Sequence, residues 1–390
     1  MRTTRVLAGA AAIVVAATAV AGAAGGFQAV PSPSPPGATL AGVGFVSGSD
    51  GWVVGGFNGP NRHDGRAPLT EHWNGSAFSV VPAPDTQFND DTLAAVGGVA
   101  TNDVWAVGQR KRTGFKSPVT PLVLHWNGGA WNEVATPAIA VPRASVSALA
   151  AISANDVWAV GTTIGAPLAE HWDGTAWRVV PAPTPIGAAS AGFVGVSASG
   201  PNDVWAVGSS SRVSGVSTST STLVEHWNGS AWSIVASPNV PPQRPGLAVQ
   251  DLLTGVVALS ATNAWASGYS IDVASGSFLP LKTVVEHWNG SAWSIVASPD
   301  PKGHNTLSAI AALGPNDVWM VGNGWTDQAT GVPVAVPELL HWNGSAIVSV
   351  APPANVGTSD NVPAGAASAA GSVWIAGTAG GVGTLVLRGP

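Results

Sequence analysis

The chain has 390 residues, 45% of them apolar, which is enough for a large buried core. Only 9% are charged, against about 25% in an ordinary soluble domain, so Ser, Thr, Asn, Gly and Pro must cover much of the surface. A net charge of −6, with no basic run beyond Arg110, Lys111 and Arg112, argues against nucleic acid as a partner, and the absence of cysteine excludes disulfides, a lipid-modified cysteine and a thiol nucleophile.

At the N-terminus, Arg2 and Arg5 precede an apolar run that ends in small residues at Ala21 to Ala24. This order predicts a signal peptide over residues 1–24, leaving 25–390 as a secreted, extracellular domain with no remaining membrane span. An uncleaved anchor is the alternative, because the apolar run approaches spanning length. Next comes "GFQAVPSP" at Gly26 to Pro33, which matches "AFSVVPAP" at Ala77 to Pro84 position by position.

From there the chain repeats itself. One phrase reads "NDVWAVG" at Asn102, Asn155 and Asn202, with variants at Ser49, Thr262, Asn316 and Gly371. Its tryptophans, Trp52, Trp105, Trp158, Trp205, Trp265, Trp319 and Trp374, are spaced by 53, 53, 47, 60, 54 and 55 residues. A second phrase, "EHWNGSAWSIVASP" in its two identical copies at Glu225 and Glu286, follows with looser copies at Glu71, Leu124, Glu170 and Leu340. A period near 50 marks a repeat architecture. Within one unit, Thr92 to Pro137, four short β-type runs are separated by turn residues, and none has helical periodicity. The expected fold is all-β: a seven-bladed β-propeller of four-stranded antiparallel blades, strands a to d from the axis outward. The last unit lacks strand d, so Phe27 to Pro31 is expected to supply it and close the ring. A monomer is expected.

The Asn-Gly pairs, and Asp173-Gly174, predict tight c–d hairpins, since both residues accept positive φ. Asn74, Asn228, Asn289 and Asn343 also head N-G-S sequons, which turn chemistry explains first. The b–c connections vary: from the glycine of "VWAVG" to the His of "HW" the distances are 17, 17, 10, 18, 19 and 19. One face of the disc is thus expected to carry uniform turns, and the other variable loops suited to individual function.

Six histidines recur in "HW", but equivalent positions on packed sheets lie ~10 Å apart and cannot converge on one metal ion. No metal or other cofactor is expected. Strand b starts where strand c ends, so structural carboxylate–imidazole pairs are expected instead: Asp50 with His72, Asp103 with His125, Asp156 with His171, Asp203 with His226, and Asp317 with His341. His287 faces Asn263, and Ser372 and Arg388 replace both partners in the last unit. The Glu of "EHW" is Leu at Leu124 and Leu340, which argues against shared chemistry there.

Over about Gly26 to Pro390 the repeat resembles kelch-type propellers and the central-domain superfamily of galactose oxidase. The kelch double glycine, at the position that ends the "VWAVG" phrase, occurs only as Gly55-Gly56, and the kelch tyrosine is absent. The copper oxidase of that superfamily uses a Cys-crosslinked Tyr, so that activity does not carry over to a chain whose only tyrosine is Tyr269. Ser49 to Trp52 resembles a fragment of a sialidase Asp-box, and the "VWAVG…HWNG…W" order resembles tectonin-type lectin repeats. Two functions follow. One is a secreted, non-catalytic binding or scaffold propeller for a protein or a cell-wall or extracellular polysaccharide; the other is a propeller hydrolase or lyase, sialidase-like or otherwise glycan-active. No catalytic residue is assigned. Non-repeated residues in the b–c connections are the ligand-binding candidates: Arg62, His63, Arg66, Arg110, Arg112, Lys116, Tyr269, Trp325 and Asp327.

Overall fold

The computed structural model describes residues 26–59, 65–85, 89–112, 118–215, 217–242, 247–274, 277–278, 280–326, 334–356, 361–380 and 383–390. The expected signal segment, and the candidates Arg62, His63, Lys116 and Asp327, lie outside the described residues. Among the described residues there is no helix, and so none long and apolar enough to cross a membrane.

Among the described residues the strands form six antiparallel-built sheets, five of four strands and one of nine. The nine-stranded sheet holds two successive repeat units joined by a single parallel pairing, Thr220 with Gln250. The fourth unit is representative: strand a, Ser190–Gly200; b, Asp203–Ser214; c, Ser217–Trp227; and d, Trp232–Ile234. In the last unit, a (Val362–Ala369), b (Ser372–Ala379) and c (Gly383–Arg388) are joined by the N-terminal strand Gln28–Ala29, with Gln28 opposite Arg388 and Ala29 opposite Leu387.

Apolar residues from successive units meet between the sheets. Trp205, Val207 and Val224 pack against Leu253, Val256 and Val284, and Leu40, Val53 and Leu69 of the first unit pack against Trp374, Ala376 and Val386 of the last. The tryptophans link the units: Trp205 lies 4.9 Å from Trp288 of the next unit and 5.2 Å from its Trp293, the latter edge-on. Each strand a carries a β-bulge opposite the glycine that ends "VWAVG", as between Phe193 and Gly195. A Cβ on Gly208 would sit 2.0 Å from the Gly192 carbonyl oxygen. That close approach explains why the phrase ends in glycine in every unit.

The c–d hairpins turn on the Asn-Gly pairs. Asn228 Oδ1 accepts from the Ser230 and Ala231 amides at 3.0 and 3.1 Å, and Gly229 takes φ 91°. Asp173 makes the same turn in the third unit, accepting from the Thr175 and Ala176 amides. The four sequon asparagines all have Oδ1 engaged in their own turns.

Candidate binding surface

The five Asp–His pairs are joined on the face of the a–b and c–d turns. His72, His125, His171 and His341 donate through Nε2 to Asp50, Asp103, Asp156 and Asp317 at 2.8 Å, and His226 donates to Asp203 at 2.7 Å. His287 donates to Asn263 Oδ1 at 3.0 Å. The carboxylates also serve the neighbouring indole: Asp203 Oδ1 accepts Trp205 Nε1 at 3.1 Å, and Asp103 and Asp317 do likewise. Each imidazole lies against the same tryptophan, 4.4 Å between His226 and Trp205. Asp203→Ala should therefore cost about 1–3 kcal/mol, since it strands an imidazole and an indole donor together. Urea denaturation checks this; an unchanged midpoint, or lost ligand binding at full stability, would count against a structural role.

The inner strands bound cavities at both ends of the axis. One, of about 530 Å³ on the tight-turn side, is lined by small and apolar residues that include Val43, Phe45, Val96, Ile152, Val196 and Ser199. The other, of about 350 Å³ on the b–c side, is lined among others by Thr39, Gly56, Arg66, Thr92 and Gln109. Among the described residues, Arg66 is the single titratable one lining the two. The acids Asp251, Asp272 and Glu286 lie buried in the fifth unit instead. Burial raises Asp251 above the usual carboxylate value, against the opposing hydrogen bonds from Ser270 and the Val240 amide. Among the described residues no three His, Asp or Glu stand close enough to hold a metal ion.

The b–c connections carry the other candidates, but as extensions of strand b rather than as loops. Strand b runs through Arg110 and Arg112 in the second unit, Tyr269 in the fifth and Trp325 in the sixth. Tyr269 and Trp325 are half-buried, each paired on both sides, Trp325 with His304 and Ala335.

The structure gives two of the predicted bases protein partners. Arg110 donates to the fully buried Asp91 at 3.0–3.2 Å and reaches Glu133 at 2.7 and 3.1 Å. Arg66 donates to Gly37 O at 3.0 Å, to Thr39 Oγ1 at 2.6 Å and to Gly56 O, while its own carbonyl accepts the Asp91 amide. Arg66 thus ties the first unit to the second. Arg112 and Lys111 are exposed at the end of strand b. A register counted outward from the Thr101–Asn102 turn would set Asp91 opposite Arg112; the register shifts between Gly98 and Ala100 and between Leu93 and Ala95 move it to Arg110, so the bulges hid this ion pair from sequence reasoning.

The buried glutamates of "EHW" are the second thing sequence reasoning missed. Glu71, Glu170 and Glu225 are fully buried between units, and among the described residues neither carboxyl oxygen of any of them has a hydrogen-bond partner. Burial pushes them up to about 8, 7 and 8. Glu286 in the same slot accepts from Ser237 Oγ of the preceding unit at 2.8 and 3.1 Å.

No protein-family model matches the chain, and no curated protein does. Solved structures do. The chain is similar to YCF48 bound to a D1 peptide, at 15% identity and a TM-score of 0.56, covering 93% of this chain and 96% of that one. It is also similar to the WD40 β-propeller domain of Doa1, at 10% identity and a TM-score of 0.54, covering 90% and 96%. With the repeated four-stranded sheets, these likenesses make the chain a β-propeller repeat protein.

Proposed function

We propose that the chain is a secreted, non-catalytic propeller of seven blades, closed by its N-terminal outer strand, which binds a protein or an extracellular carbohydrate through the face of the b–c hairpins. The contrast between the two faces carries this reading. On the tight-turn face the same Asn-Gly turn and Asp–His pair recur from unit to unit, which suits a scaffold. On the opposite face the hairpins differ in length and composition, which suits recognition of one ligand. The uncharged tight-turn cavity, and acids buried within the fifth unit rather than along the two axial cavities, favour binding over hydrolysis or lyase chemistry. The likeness to a propeller bound to a peptide favours a peptide or protein ligand. Seven copies of the "VWAVG" phrase, with the pairing of Gln28–Ala29 to the last strand, support the closed ring of seven.

Selection from a displayed random-peptide library, run beside a panel of cell-wall polysaccharides, tests the reading. Trp325→Ala or Arg112→Ala should weaken the selected ligand about tenfold, or 1.4 kcal/mol, while Ser230→Arg on the tight-turn face should leave it unchanged. The reverse pattern would place recognition on the tight-turn face and overturn the reading.

A further inference from the structure

A strip of exposed residues crosses the b–c side of the second, third and fourth units, and its continuity follows from strand pairing. Lys111 pairs with Val119, and Val119 bridges to Arg143. Ala144 pairs with Thr163, which sets Arg143 beside Ile164 at the turn of the third unit. The Ala191 amide donates to Gly165 O at 3.2 Å, and the Ala189 amide to Ser211 O at 2.8 Å. Arg212 then donates to Ile186 O at 2.7 Å, and Val213 follows it.

The strip is concave. In the third unit the b–c pairing stops at Thr162 with Pro167, whereas in the fourth it continues to Ser214 with Ser217. At ~3.3 Å per residue the fourth hairpin stands roughly 16 Å higher than its neighbour. The second hairpin, which pairs as far as Lys111, forms the other wall. The short turn of the third unit is the floor.

Its apolar residues are exposed and held in place. Ile186 is 94% exposed at the tip of a turn closed by the Ala188 amide on Pro185 O at 3.0 Å, with Gly187 at φ 76°. Ile164 is 57% exposed in a turn closed by the Thr163 amide on Ala166 O at 2.9 Å. Val213 is 61% exposed on the fourth hairpin. Short aliphatic side chains on turns already closed lose little entropy on being covered. Lys111, Arg112, Arg143 and Arg212, all exposed, flank them. In a chain of net charge −6 with 15 bases in all, these four outnumber Asp90, which stands opposite Lys111, and leave a local positive field.

From this strip we infer a docking groove for an acidic segment of a partner protein that carries aliphatic side chains. The inference rests on the proposed b–c face and names the partner's chemistry there. Charge complementarity selects an anionic ligand. The aliphatic anchors favour a peptide over a polysaccharide, since the strip offers no aromatic ring among its described residues. A flat anionic membrane would touch the raised hairpin and miss the floor.

The test uses the full domain and a labelled twelve-residue peptide of alternating Glu and Leu, with Glu/Ser and Lys/Leu peptides, polygalacturonate and phosphatidylglycerol vesicles as comparisons. Fluorescence anisotropy should detect the Glu/Leu peptide, more weakly the Glu/Ser peptide, and not the Lys/Leu peptide. Arg143→Glu and Ile186→Glu, both at exposed sites, should each weaken the Glu/Leu peptide at least tenfold with an unchanged melting curve. Polygalacturonate or vesicles binding in place of the peptide would overturn the inference, as would a Glu/Leu peptide indifferent to both variants. If selected peptides depend on Trp325 but not on Arg143, the groove falls and the proposed face stands. If no peptide or polymer binds at all, both fall.

Discussion

Removing residues 1–33 should destabilise the whole propeller, with a large drop in melting temperature or outright insolubility. The segment is short, but three kinds of interaction leave with it. Phe27 is 5% exposed and stands edge-on to Trp319 at 5.1 Å, in a cluster with Val321, Leu339 and Leu387. Truncating such a phenylalanine costs about 3–5 kcal/mol by itself. The backbone pairing of Gln28 and Ala29 goes, as does the Val30 amide on Val386 O at 2.9 Å. So do the contacts of Ser32 and Pro33 with Thr384. The strand Gly383–Arg388 would then face solvent as an open edge, ready to pair with another copy. Thermal melting followed by tryptophan fluorescence measures the loss. Phe27→Ala gives the milder test, and a synthetic peptide of residues 26–36 added in trans should restore part of the melting temperature. A truncated chain that melts as the intact one does would show that the terminal strand closes nothing.

Much of this was legible in the sequence because repetition multiplies weak signals. One "DVWAVG" reads as any buried strand, while repeated copies in register fix the spacing of units, and an Asn-Gly between two apolar runs fixes the hairpin. The pairing of Asp203 with His226 followed from strand order alone, since the start of b must lie beside the end of c. The length of strand b did not follow. Arg110, Tyr269 and Trp325 look like loop residues because polar residues interrupt the apolar alternation, yet the hairpin continues through them as ladder. The burial of Glu225 was hidden for a different reason. A charged residue beside His and Trp reads as surface, and only the packing of the next sheet takes it out of water. The strip from Lys111 to Val213 was hidden as well, because its members come from three units and acquire a common surface only through pairings between them.

Raising the pH should weaken the propeller between about pH 5 and about pH 8, and leucine in place of three glutamates should remove part of that weakness, the rest lying with Glu286, Glu338 and Asp251, which burial raises in the same sense. Unfolded, Glu71, Glu170 and Glu225 would release their protons near the ordinary carboxylate value of 4.5; folded, burial holds them to about 8, 7 and 8. Across that window the native state binds more protons than the unfolded one. Their contribution is therefore fully present below the unfolded value and is lost as pH rises through the folded values, by at most about 1.4 kcal/mol per group per pH unit. The chain itself supplies the control. Leu124, Leu340 and Leu387 occupy the same slot in other units, fully buried. Leu124 packs in a cluster bordered by Val81 and Ala83 of the preceding unit. Val180 and Ala182 border the corresponding cluster of the third and fourth units, so Glu225→Leu should fit without strain. Each replacement removes a buried polar group with no partner, worth about 1–3 kcal/mol. Ala182→Ser is the complementary variant: it copies Ser237, which serves Glu286 in the next interface, and should stabilise while leaving Glu225 in place. Urea denaturation of the wild type and the triple variant at several pH values decides the matter. Equal slopes in the two proteins, or a triple variant less stable than wild type at pH near 8, would mean that these carboxyls are solvated or paired in solution.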